Sequence, residues 1–139
     1  MKNGNEDVVS ESAVSEVLAT QEINRWLDSK RIKPKDRERQ KAEIEKLIDC
    51  VCDGTLVVNE DNTLTQILIF PSGELKELKF KNRINDFEVR PLLKDVAATD
   101  MYGQIRAYGA ALSDVSKMTI EKLDTEDRKL TRAIALFFM

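Results

Sequence analysis

Histidine is absent from this chain of 139 residues. Its absence removes the most common general base, the Ser-His and Cys-His nucleophile pairs, and imidazole as a metal ligand. Cysteine is scarce as well. The two thiols, Cys50 and Cys52, are separated by one residue, so on a helix they point to different sides and cannot bridge. We interpret them as reduced structural thiols, and we expect neither a metal site nor a cofactor.

Long apolar runs and aromatic side chains are also lacking. No stretch approaches the ~18 apolar residues of a membrane span, and the polar, acidic N-terminus is unlike a signal peptide. Aromatic residues make up 6% of the chain, which argues against a base-stacking platform. The net charge of −3 comes from 22 basic and 25 acidic residues, a balance that does not favour a nucleic-acid surface.

Catalytic motifs are missing too. The glycines are isolated rather than gathered in a phosphate-binding loop, and no serine lies in a nucleophile elbow. The obvious carboxylate clusters suit a turn or a helix N-terminus. We therefore predict no catalytic residues and no enzyme activity.

The remaining composition is that of an ordinary globular chain, with 42% hydrophobic and 34% charged residues. Residues 1–11 are polar and acidic and are predicted to form a disordered arm. Residues 12–139 are predicted to form a single α+β domain. Its three parts are a helical region over 12–54, a β-meander over 55–90 and a second helical region over 91–139.

Apolar spacing predicts three helices in the first helical region. An apolar set within 12–18 predicts a short helix. The phase then breaks near Thr20, which is predicted to cap a second helix reaching about Lys30. A third helix is predicted from Pro34 to the residue before Gly54, because proline suits the first helical position and glycine the position after the last.

The period then changes to two, which predicts a meander. Three strands are predicted over 55–58, 64–70 and 75–80. A fourth, short extended piece is predicted at Phe87–Val89, because Pro91 biases the residue before it away from the helix. Three strands cannot bury themselves. The predicted fold class is therefore α+β, a small antiparallel meander of three to four strands covered by N-terminal and C-terminal helices.

The C-terminal region is predicted to be helical, with two apolar seams. The first seam has the members Ala98, Met101, Ile105, Tyr108, Leu112 and Val115. The two glycines beside it, Gly103 and Gly109, indicate a close backbone approach or a loosened helix. Asp124 is predicted to cap a last helix. The second seam is a core stripe on that helix, with the members Leu130, Ala133, Ile134, Phe137 and Phe138.

Five residues are our candidates for a protein interface. Met101, Tyr102 and Tyr108 belong to the first C-terminal seam or flank it, and methionine suits adaptable contacts. Leu136 and Met139 fall off the core stripe of the last helix. Surplus apolar residues of this kind indicate a contact with another chain. The spacing leaves open whether they serve a partner, a homodimer or a deeply buried helix end.

The second half of the chain also resembles a known family. FEVRPLLKDV (Phe87 to Val96) combines an extended entry, an Arg-Pro pair and an acidic residue that opens a helix. MTIEKLDTEDRKLTRAIALFF (Met118 to Phe138) follows and ends in an apolar helix. This pattern, over about Leu75 to Met139, resembles the small tail assembly chaperones of Mu-like and other long-tailed phages and prophages.

The resemblance implies a non-enzymatic function in the cytoplasm of a bacterial host cell. Members of the family bind the long, helical tape measure protein during tail morphogenesis, and they commonly self-associate. The partners implied for this chain are therefore the tape measure protein and other copies of itself. We expect no membrane contact and no nucleic acid.

Two other functions remain open. The basic stretch Lys30–Lys41 would suit a DNA-binding or regulatory adaptor protein, although Asp36 and Glu38 interleave with its basic residues. Such interleaving is more typical of a solvated face with ion pairs. An enzyme or a small-molecule binder is the third possibility, which the missing histidines weaken.

Overall fold

The structure is a computed structural model that describes residues 15–139. The described residues contain seven α-helices, three β-strands and a C-terminal 3-10 turn. In chain order these are α1 (Glu16–Ser29), α2 (Pro34–Arg39), α3 (Lys41–Asp53), β1 (Leu56–Val58), β2 (Leu64–Ser72), β3 (Leu75–Phe80), α4 (Asp86–Leu93), α5 (Met101–Ser113), α6 (Lys117–Glu121), α7 (Thr125–Ala135) and the 3-10 turn (Leu136–Phe138). The predicted α+β class is confirmed, with three strands. The predicted arm over residues 1–11 lies outside the described residues.

A single helix, α1, replaces the two helices predicted at the start of the domain. The Ser15 hydroxyl accepts a hydrogen bond from the Leu18 amide at 3.2 Å and so caps the helix. The predicted break at Thr20 is wrong because Val17 and Leu18 are exposed. The apolar stripe starts one residue later and has one continuous phase. Its buried members are Ala19, Ile23, Trp26 and Leu27.

The helix predicted from Pro34 is divided in two. Pro34 is the first residue of α2, as predicted, but the helical run is interrupted at Gln40 before α3 begins. Gly54 ends α3 in the left-handed conformation with φ of 85°. Its amide donates to the Cys50 and Val51 carbonyl groups, which confirms the predicted helix stop.

The sheet is an antiparallel meander in the order β1-β2-β3. Its register pairs Leu56 with Gln66 and Leu64 with Phe80. One face is buried and carries Leu56, Val58, Leu64, Gln66, Leu68, Leu78 and Phe80. The other face is open, so the three strands form one wall of the core and the helices form the rest.

The predicted fourth strand at Phe87–Val89 is wrong, because these residues belong to α4. A capping box starts this helix: the Asn85 side chain accepts from the Glu88 amide, and the Glu88 side chain accepts from the Asn85 amide. Pro91 lies inside the helix, which ends two residues later. The proline therefore removes a single helical hydrogen bond and does not prevent the helix. The meander ends at Phe80 rather than at residue 90.

The C-terminal helices close the core. Ile105 and Leu112 of α5 are buried, whereas Ala98 lies in the turn before the helix and not on its seam. Asp124 caps α7 by accepting from the Glu126 amide at 2.9 Å, as predicted. Phe137 packs edge to face on Trp26, with ring centroids 5.4 Å apart. The predicted core stripe is thus confirmed over most of its length.

Candidate protein-binding site

The five predicted interface residues divide into an exposed group and a half-buried group. Met101 and Tyr102, at the start of α5, are 54% and 70% exposed, and Met139 is 43% exposed. Tyr108 and Leu136 are half-buried and pack against the core. The exposed residues therefore lie mainly at one end of α5.

A cleft between α5, α6 and α7 begins at Tyr102. The volume of the whole cleft is about 180 Å³, and its apolar part is formed by Tyr102, Ile105 and Ile120. Ile105 and Ile120 are buried, whereas the Tyr102 ring stands at the opening. The cleft therefore combines an apolar floor with an exposed aromatic side chain, which is a common feature of protein-binding pockets.

The rim of this cleft is basic. Four basic side chains line it, Arg106, Arg128, Lys129 and Arg132, against the single carboxylate of Glu121. Arg106 donates to Glu121 at 2.7 Å. The Arg132 guanidinium lies 5.8 Å from the centre of the Tyr102 ring, within the range of a cation–π contact. The positive rim is thus built mainly by α7.

No sequence motif marked these arginines as part of a site. Arg128 and Arg132 are four residues apart on α7, so they lie on one face, away from the apolar stripe. Such a pair usually indicates a solvated helix face. Only the position of α7 beside α5 and α6 makes the pair part of a cleft.

A glycine sets the distance between α5 and α7. A Cβ atom at Gly109 would lie 3.3 Å from Cγ2 of Thr131 and 3.9 Å from Cδ1 of Ile120. Since these distances leave little room for a side chain, Gly109 lets α5 and α7 approach closely, which is the first of the two explanations that the sequence left open.

Asp127 anchors α7 to the sheet. Its carboxylate is buried and accepts the backbone amides of Ile69 at 2.8 Å and Phe70 at 2.9 Å. These amides lie in the irregular part of β2, between Ile67 and Ser72. No feature of the sequence marked this link between Asp127 and β2.

A second buried contact joins the same elements. The Gln66 side-chain amide donates to the Asp127 carbonyl at 2.7 Å, and the Thr131 hydroxyl donates to the Gln66 side-chain oxygen at 2.6 Å. All three residues are at most 2% exposed. The buried polar groups are therefore paired with each other, and they fix α7 along β2.

The basic stretch Lys30–Lys41 is partly engaged in internal contacts. The Lys30 ammonium donates to the Asn82 carbonyl at 3.1 Å and lies 3.3 Å from the centre of the Phe138 ring. Burial, and then the charge of Arg83, lower the pKa of Lys30 from 10.5 to about 8. Two arginines of the stretch form ion pairs: Arg37 with Asp28 and Arg39 with Asp36.

Neither thiol forms a disulfide bond. Cys50 and Cys52 are free and half-buried, as predicted, and burial raises the pKa of the Cys50 thiol. Within residues 15–139, no group of three His, Cys, Asp or Glu side chains is placed to hold a metal ion. No helix in this described part has the length and apolar character needed to cross a membrane.

Comparisons of the chain with protein-family models, with curated proteins and with solved structures found no match.

Proposed function

We propose that this chain is a non-enzymatic phage tail assembly chaperone, which binds the tape measure protein in the cytoplasm of the bacterial host during tail morphogenesis. The observation that supports the proposal is the cleft that opens at Tyr102. Its apolar floor and exposed aromatic side chain suit a helix laid into a groove. The cleft lies within Leu75–Met139, the part of the chain that carries the family resemblance.

The open face of the sheet supports self-association as part of this function. Val57 and Ile67 are exposed on it, at 43% and 38%. Exposed apolar side chains gathered on one face are typical of surfaces that contact another chain. Light scattering on the purified protein would measure the mass, and a monomer at all concentrations would contradict self-association.

Co-expression tests the chaperone proposal. The chain would be produced together with the tape measure protein of the same phage or prophage, and the soluble fraction would be separated by size exclusion. We expect the tape measure protein to become soluble and to elute with the chain. If it stays in the pellet and no complex elutes, the proposal is wrong.

Two matched double variants locate the contact. Tyr102→Ser removes the aromatic side chain at the cleft opening, and Met101→Ser removes the exposed side chain next to it in sequence. Val57→Ser with Ile67→Ser removes exposed apolar surface from the open sheet face. All four side chains are exposed, so we expect both variants to fold. The first variant should lose the complex with the tape measure protein, and the second should keep it.

The adaptor function through Lys30–Lys41 has less support, because Lys30, Arg37 and Arg39 are engaged within the protein. A gel-shift assay at low salt, repeated at physiological salt, tests it directly. We expect no shift. A shift that persists at physiological salt would favour the adaptor function.

A further inference from the structure

We infer that the cleft between α5, α6 and α7 binds an acidic amphipathic helix of the partner chain. The apolar side of that helix would contact Ile105 and Ile120, and its carboxylates would pair with Arg128 and Arg132. The inference rests on the proposed function, because it states the chemistry of the segment that this chain would bind.

The charge of the cleft favours an acidic partner. The whole chain has a net charge of −3, yet four basic side chains and one carboxylate line the cleft. Arg106 is paired with Glu121, and Lys129 with Glu126. Arg128 and Arg132 form no ion pair with any residue in the range 15–139. Two arginines without an ion pair to any described residue, on a protein of opposite net charge, favour an acidic partner.

The geometry of these arginines is the second argument. They are four residues apart on α7, so their guanidinium groups lie on one side of the cleft, one turn from each other. An acidic helix with glutamates at the same spacing would present two carboxylates to them. Arginine suits this contact because its planar group pairs with a carboxylate through two parallel hydrogen bonds.

The size of the cleft is the third argument. Its volume of about 180 Å³ is below the ~300–1,000 Å³ of ordinary small-molecule sites. Such a space holds apolar side chains that project from a helix rather than a whole ligand. Tyr102 at the opening adds an aromatic contact surface. An apolar floor with a basic rim therefore favours an amphipathic helix over an oligonucleotide.

The test uses two peptide probes and two protein variants. The probes are fluorescein-labelled amphipathic helical peptides with leucine on one side and either glutamate or lysine on the other. The cleft variant is Arg128→Glu with Arg132→Glu. The control, Lys35→Glu with Lys41→Glu, makes the same change in net charge at exposed lysines outside the cleft. Fluorescence anisotropy of the full-length proteins measures binding.

The expected result is a reversal of preference. The unmodified chain should bind the glutamate peptide at least about tenfold more tightly than the lysine peptide. This is the factor expected when two exposed arginine–carboxylate contacts form with one peptide and not with the other. The cleft variant should prefer the lysine peptide, and the control should keep the original preference. Equal binding of the glutamate peptide by the cleft variant and the control would overturn the inference.

Other occupants of the cleft give different results. Residues 1–14 include Glu6, Asp7 and Glu11. One variant replaces the two glutamates by glutamine and the aspartate by asparagine. If this variant binds the glutamate peptide more tightly, the chain's own acidic segment competes with the peptide for the cleft. That result would support the inferred chemistry, because the cleft would then accept acidic segments. A dimer that dissociates only in the cleft variant would instead identify a second copy as the occupant. That result, or tighter binding of a single-stranded oligonucleotide, would overturn the inference.

Failure of this inference can be distinguished from failure of the proposed function. A tape measure protein that binds the unmodified chain and the cleft variant equally would overturn this inference and leave the chaperone function standing. A tape measure protein that does not bind at all, while the peptide preference still reverses, would overturn the chaperone function and leave the chemistry of the cleft standing.

Discussion

The substitution Asp127→Ala should be among the most destabilising single changes in this protein. The Asp127 carboxylate is 2% exposed and accepts the amides of Ile69 and Phe70. Alanine removes the acceptor and leaves both amides without a partner. The irregular part of β2 would then lose its connection to the start of α7.

The expected cost follows from those two hydrogen bonds. A hydrogen bond to a charged group contributes about 1.5–3 kcal/mol net. Two of them are worth about 3 kcal/mol at the lower limit. Ile69 and Phe70 are half exposed, so water can reach part of this region after the change, and the lower limit is the appropriate choice. A loss of about 3 kcal/mol is a large share of the stability of a small domain, which is about 5–15 kcal/mol.

Asp124→Ala is the matched control, since Asp124 lies one turn earlier on the same helix. It is exposed and caps α7 through one hydrogen bond to the Glu126 amide. Loss of such a cap costs about 1 kcal/mol. Urea unfolding followed by circular dichroism measures both variants. If Asp127→Ala costs no more than Asp124→Ala, the carboxylate does not hold β2 as described.

Three further predictions concern the core and the chain end. Phe137→Asp should unfold the domain, because it buries an unpaired charge. Met139→Asp at the exposed end should change the free energy of unfolding by less than about 0.5 kcal/mol. Thermal unfolding of both variants distinguishes these outcomes. Gly109→Val should cost about 1–3 kcal/mol in urea unfolding, because the added methyl groups meet Thr131; an unchanged midpoint would contradict the close approach. Lys30 has a lowered pKa of about 8 against 10.5 when unfolded, so the unfolded chain binds more protons between these values and stability rises with pH there. The free energy of unfolding of the unmodified chain, relative to that of Lys30→Met, should therefore increase from pH 8 to pH 10.5. If this difference does not change with pH, the Phe138 contact keeps the ammonium charged.

Local signals in the sequence predicted most elements of the fold. Alternating residues marked β3 with its correct ends, and Gly54 and Asp124 marked the end of α3 and the start of α7. Each of these signals acts within one turn or one strand. They therefore hold whatever the rest of the chain does.

The errors arose where two local signals competed. At Phe87–Val89, Pro91 argued against a helix, but the capping box of Asn85 and Glu88 offset the one hydrogen bond that the proline removes. At the start of α1, Val17 and Leu18 belong to the apolar set that predicted a separate short helix, although both are exposed. Their inclusion shifted the phase of the stripe and suggested a break that the helix does not have.

The cleft was not predictable in the same way, because it depends on three helices that are adjacent only in space. Tyr102 was a candidate because it flanks the first C-terminal seam, but Arg128 and Arg132 had no sequence signal that distinguished them from a solvated face. Which face of α7 meets solvent depends on the opposite face, where Asp127 and Thr131 bond to the sheet.

The two faces of α7 therefore have different roles: one face bonds to the sheet, and the other lines the cleft. Asp127 and Thr131 point into the protein and fix the rotation and height of the helix on β2. Because a helical residue one position further lies about 100° around the axis, fixing Asp127 also fixes where Arg128 stands on the cleft rim. The buried carboxylate thus has a consequence for binding as well as for stability. A weakened anchor should loosen the arrangement of Arg128 and Arg132 even in molecules that remain folded, and the preference for an acidic helix should decrease with it.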